Sequence, residues 1–112
     1  MSALIDKLRK SRQTDITSGG YVFTVRRPTE LEWFEMRGTK IDTRRLLAYV
    51  DGWSGVKEAD IINGGDPHPV EFDQALFVAW VEDKPDIMGD VVKAIMASRV
   101  EQAEKVEASA KN

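Results

Sequence analysis

The stretch Tyr21-Val22-Phe23-Thr24-Val25-Arg26 most limits the folds open to this chain. Aromatic and β-branched residues alternate there with period two. Tyr21, Phe23 and Val25 share one face, and Val22, Thr24 and Arg26 the other. Thr17-Ser18-Gly19-Gly20 supplies turn chemistry before it, and Pro28 ends it. A strand by itself leaves its amides and carbonyls unpaired, so it needs a neighbour. Asp15-Ile16-Thr17 is the candidate hairpin mate; failing that, the neighbour is another copy of the chain. The rest of the pattern is helical. The expectation is an α+β, mainly α fold: a short N-terminal β element followed by about four helices in a single domain.

The helices are read from caps and periodicity. Residues 3–12 group Leu4, Ile5 and Leu8 on one side among Lys7, Arg9, Lys10 and Arg12; a helix so short is marginal alone, and either frays or orders only against a partner. Thr29-Glu30-Leu31-Glu32 matches a capping box, opening a helix with Leu31, Phe34 and Trp33 on its apolar side and Gly38 closing it. Asp42 is an N-cap, with Ile41 and Leu46 spaced as a staple and Leu46, Leu47 and Val50 facing inward. Asp73 repeats the N-cap, with Phe72 spaced to meet Phe77, and Trp80 and Val81 continue that helix. Pro85 suits the first turn of a last helix, whose stripe is Met88, Val91, Val92, Ile95 and Met96. The chain divides into a poorly defined segment 1–19, a globular domain 20–100 and a helical or frayed tail 101–112.

Between the early and late helices lies Val50-Asp51-Gly52-Trp53-Ser54-Gly55-Val56. A bulky indole sits between two glycines, which let the backbone turn tightly beside it. It reads as an anchor pinning a long loop onto a helical body. Residues 57–71 are that loop; their glycines and prolines preclude a regular helix or central strand.

Totals exclude more than they assign. The chain has 112 residues, the length of one domain, and 42% are hydrophobic, enough for a small core. It has no cysteine, so disulfides and thiolate metal sites are ruled out. No apolar run approaches the ~20 residues that cross a bilayer, and the start lacks a signal-peptide core, so a cytoplasmic location is expected. The net charge of -3 is unevenly spread: residues 1–50 hold ten Lys/Arg against six Asp/Glu, and residues 51–112 six against thirteen. Such polarity can promote head-to-tail self-association or steer a charged partner; the plainer reading is two solvated faces of one domain. Arg26, Arg27, Arg37, Lys40, Arg44 and Arg45 are interleaved with Glu30, Glu32 and Glu35, which argues for surface ion pairs over a nucleic-acid patch.

No catalytic, cofactor or metal residues emerge. His68, held between Pro67 and Pro69, is the one histidine, too few donors for a first-row metal site. Asp60-Ile61-Ile62-Asn63-Gly64-Gly65-Asp66 fails as a calcium loop because Ile62 stands where an oxygen ligand is required. Gly52-Trp53-Ser54-Gly55 is not a nucleophile elbow, and Glu82-Asp83 reads as a solvated helix end. No enzymatic activity is expected.

Four segments taken in order carry a resemblance: Phe23-Thr24-Val25-Arg26-Arg27-Pro28-Thr29, Val50-Asp51-Gly52-Trp53-Ser54-Gly55-Val56, Val70-Glu71-Phe72-Asp73, and a tail ending Ala110-Lys111-Asn112. Over residues 20–112 the chain resembles the tail assembly chaperones of long-tailed bacteriophages and their prophages. The resemblance implies a chaperone that keeps the tape measure protein soluble until the tail tube polymerises, then is displaced and absent from the mature virion. Its implied partners are the tape measure protein and the tail tube protein; a second copy of the chain is a further candidate on the strand and the uneven charge alone, and no membrane is expected. Chaperones of this kind often have a longer frameshifted form, and this chain would match the short one. The apolar groove expected to hold the partner lies between the last two helices and the Trp53 loop: Trp53, Phe77, Val81, Met88 and Met96, residues that serve equally well as ordinary core. The rival readings are a structural tail-completion or head–tail joining protein, and a small nucleic-acid-binding regulator.

Overall fold

The first nine residues of the computed structural model, which describes residues 2–37 and 42–111, form a helix outside the sheet. This is α1 (Ser2–Lys10), and it buries none of its described side chains. It leads through Ser11-Arg12 into a hairpin of β1 (Gln13–Ser18) and β2 (Tyr21–Arg26). Ser18 pairs with Tyr21 across the two-residue turn, and Gly19 and Gly20 hold φ of +61° and +88°. Positive φ at both centres is what a primed hairpin turn demands, and glycine meets it without side-chain strain. The mate expected at Asp15-Ile16-Thr17 thus comes from the same chain.

A third strand corrects the expected architecture. β3 (Val50–Ser54) pairs antiparallel with β2, so the sheet runs β1-β2-β3. The molecule is not a short β element followed by about four helices. It is one compact domain with a three-stranded antiparallel sheet and six α-helices among the described residues, one of them preceding the sheet. The strand hid because it is short, contains Gly52 and turns off at Gly55 (φ +82°), features that weaken a local strand signal. Its pairing with β2 also shifts register between Thr24 and Val25. Ile16, Phe23 and Trp53 stand opposite one another across the three strands, the row on which the helices pack.

Caps set the helices. α2 (Glu30–Arg37) opens with the expected box: the Glu32 amide donates to Thr29 Oγ1 (3.1 Å), and the Thr29 amide to Glu32 Oε1 (2.9 Å). α3 (Thr43–Leu46) begins where the Arg45 amide donates to Asp42 Oδ1 (2.7 Å) and tightens into a 3₁₀ turn, Leu47–Tyr49. The Gly38 closure and the Ile41 staple lie outside the described residues. α4 (Glu58–Ile61) is a single helical turn inside the segment expected to be irregular. α5 (Gln74–Val81) is capped by Asp73, which accepts from the Leu76 amide (2.9 Å), and Phe72 meets Phe77 with ring centroids 6.1 Å apart.

α6 (Pro85–Lys111) has 27 residues. At 1.5 Å per residue it is about 40 Å long. Ile87, Val91 and Ile95 recur every fourth residue and are buried. They meet Phe23 and Val25 of β2, Phe77 and Val81 of α5, and Leu46, Leu47 and Val50 in one core. At the hairpin turn the Ser18 hydroxyl donates to Asp90 Oδ2 (2.6 Å), locking α6 to β1.

Of the three apolar residues read as the inward side of α2, only Trp33 is buried. Trp33 and Met36 are buried, while Leu31 and Phe34 are 65% and 69% exposed. This helix has apolar residues on both sides, so periodicity alone could not choose its inward face.

Candidate functional site

Trp53 does anchor the 57–71 segment, but from a strand. Its indole N–H donates to the Val70 carbonyl (2.7 Å), where that segment returns to the body. Its ring meets Phe72 at 5.3 Å and Trp80 at 5.8 Å, both close to perpendicular, the edge-to-face arrangement aromatic pairs favour. The segment itself is tied down: Val70 donates to Val56, Glu58 to His68 and Ala59 to Asp66.

The five expected contact residues do not form one open groove. Phe77 and Val81 are fully buried, so in this chain they are core and offer a partner nothing. Trp53 and Met88 are half-buried against that core, and Met96 is 42% exposed. Apolar identity at helical spacing marks both core and docking residues, and spacing alone does not separate them.

The apolar surface lies elsewhere. Leu31 and Phe34, one turn apart, project from α2 on the side away from Trp33 and Met36. Met96 and Val100 (57% exposed), four residues apart, form a second stripe on α6. Leu4, Ile5 and Leu8 on α1 are each more than half exposed. A sequence signal for the α2 pair did exist: a helix with more apolar residues than one face can bury.

Electrostatics centre on Arg26. Its guanidinium lies over the Tyr49 ring (4.7 Å), donates to Asp51 Oδ1 (3.3 Å) and stands 3.6 Å from Glu32 Oε2. Asp51 also accepts from Gln13 Nε2 (2.9 Å), so one carboxylate ties all three strands together. Burial works against ionising Glu32, but the Thr29 amide, the Tyr49 hydroxyl, the Thr29 side chain and Arg26 together outweigh it. The Glu32 pKa falls below the ordinary 4.5. Burial, then the negative charge of Glu32, pushes the Tyr49 pKa up. Arg44 pairs with Glu82 (2.6 Å). Among the described basic residues, Arg26 and Arg44 are thus held in ion pairs.

Two adjoining clefts of about 320 and 310 Å³ share Asp83 and Lys84. Asp60, Ile61, Leu76 and Trp80 line the first, and Tyr21, Asp86 and Ile87 the second. Burial and a hydrogen bond to Asp60 raise the Tyr21 pKa. Among the described residues no three His, Cys, Asp or Glu side chains group as metal ligands, and no helix is long and apolar enough to cross a membrane. No family model, curated protein or solved structure matches the chain.

Proposed function

We propose that this chain is a non-enzymatic tail assembly chaperone, which covers apolar helices of a tape measure protein until the tail tube encloses them. The observation that carries the reading is the outward pair on α2. Leu31 and Phe34 are about two-thirds exposed on a helix already packed through its other side. Covering the exposed two-thirds of each is worth about 1–2 kcal/mol, so a helical client gains by covering them. Met96 and Val100 extend the supply of apolar surface on α6. Each patch is small, which suits release; many copies along one long client supply avidity. The resemblance over residues 20–112 supports the choice of client.

The test is co-expression with the tape measure protein of the encoding phage. Leu31→Asp with Phe34→Asp should abolish co-purification while leaving the melting temperature within about 2 °C, because exposed positions rarely carry stability. Normal co-purification by that variant overturns the reading. So does finding the chain as a stoichiometric part of purified particles, which would favour a structural tail protein.

A further inference from the structure

The two ends of the β1–β2 hairpin carry opposite charge. At the end where Gln13 pairs with Arg26, α1 joins the sheet through Ser11-Arg12. The Arg27 amide donates to the Arg12 carbonyl (2.8 Å), which fixes the base of that helix. α1 exposes Leu4, Ile5 and Leu8 beside Lys7, Arg9 and Lys10. None of those three cations, nor Arg12, makes an ion pair with the described residues. Past the Gly19-Gly20 turn, at the far end, lie the two adjoining clefts. Their apolar linings include Ile61, Leu76 and Trp80, and Asp60, Asp83 and Asp86 stand around them against the single cation Lys84. Trp80 is 6% exposed, and its indole N–H has no hydrogen-bond partner.

No residue of α1 lines either cleft of its own molecule. α1 has nine residues and β1 six. At 1.5 Å per residue the helix reaches about 14 Å, whereas six strand residues span about 20 Å. The helix, rooted at one end of the hairpin, is thus shorter than the strand that separates it from the clefts at the other.

We infer that the acidic clefts of one copy receive α1 of a second copy, head to tail. The apolar side of α1 would lie against the half-buried Ile61 and Leu76, with Lys7 and Lys10 facing Asp83 and Asp86. Every copy offers both halves and uses each once, so the contact is heterologous and propagates into a ring or an open row. Charge complementarity sets its polarity and speeds encounter. Leu31 and Phe34 take no part, so failure of this contact leaves the client reading standing, and the reverse.

Sedimentation velocity over a range of concentrations tests it. The full chain should gain mass with concentration at about 20 mM salt and lose most of that gain at about 500 mM, where exposed charges are screened. Lys7→Glu with Lys10→Glu, and separately Asp83→Lys with Asp86→Lys, should each weaken association at least about tenfold. Mixing the two variants should restore it, since the acidic α1 of the first then finds the basic cleft of the second. Leu4→Asp with Leu8→Asp, at exposed positions, should abolish association with circular dichroism unchanged. Wild type that stays monomeric throughout overturns the inference. So does a dimer indifferent to either reversal, a mixture that stays monomeric, or an α1 that binds short duplex DNA while the chain remains monomeric.

Discussion

Replacing Trp53 with phenylalanine isolates what the indole does beyond filling space. Phenylalanine keeps an aromatic ring in the row with Ile16 and Phe23 but removes the donor to the Val70 carbonyl, 2.7 Å away. A net hydrogen bond is worth about 1 kcal/mol. The smaller ring also weakens the edge-to-face contacts now at 5.3 Å to Phe72 and 5.8 Å to Trp80. Such a pair is worth about 0.5–1.5 kcal/mol, so losing part of two adds about 1 more. The expected loss is about 2 kcal/mol. With an unfolding entropy near 2.1 cal/mol/K per residue over 112 residues, that lowers the melting temperature by about 8 °C. The indole also holds down the return of the 57–70 segment, so tryptic cleavage after Lys57 should quicken, by about thirtyfold if the whole loss is local. Calorimetry and limited proteolysis read the two effects separately. A melting temperature within about 2 °C of wild type would refute the energetic argument. An 8 °C drop with unchanged cleavage would refute the anchoring role.

Two further outcomes test the hairpin and its surroundings. Gly19→Ala should cost about 2 kcal/mol against about 1 for Gly20→Ala, because both residues have positive φ but only at Gly19 would the new Cβ meet Ile87 Cδ1, at 3.0 Å. Adding Ile87→Val to Gly19→Ala should recover much of the difference in chemical denaturation; no recovery would remove the steric part of the account. The Glu32 carboxyl, with a folded pKa below its ordinary 4.5, binds fewer protons folded than unfolded. It therefore contributes stability above that value, which is lost as pH falls from there through the folded pKa. Glu32→Gln should flatten this acid decline in urea titrations, and an unaltered decline would assign it to other groups.

What was legible in the sequence was local. The boxes and caps at Thr29, Asp42 and Asp73, the Gly19-Gly20 turn and the Phe72–Phe77 staple each involve residues a few positions apart, and each sits where the pattern placed it. β3 was not legible, because a five-residue strand interrupted by glycine exists only through pairing with β2, some thirty residues earlier. The inward face of α2 was not legible either, since the choice between Trp33 and Phe34 depends on elements far along the chain, such as Arg99 of α6, whose guanidinium lies over the Trp33 ring at 5.1 Å. The candidate contact residues mixed core with surface for the same reason: burial is a property of the assembled layers, and spacing reports only which residues travel together.

The bond from Ser18 to Asp90 spans 72 positions. A ribosome delivers roughly 5–20 residues each second, so the hairpin emerges several seconds before the helix that roofs it. Through that interval Phe23 and Val25, later sealed by Val91 and Ile95, face whatever else is in the cell. The exposure of these two side chains begins early in synthesis and ends only when the last helix arrives.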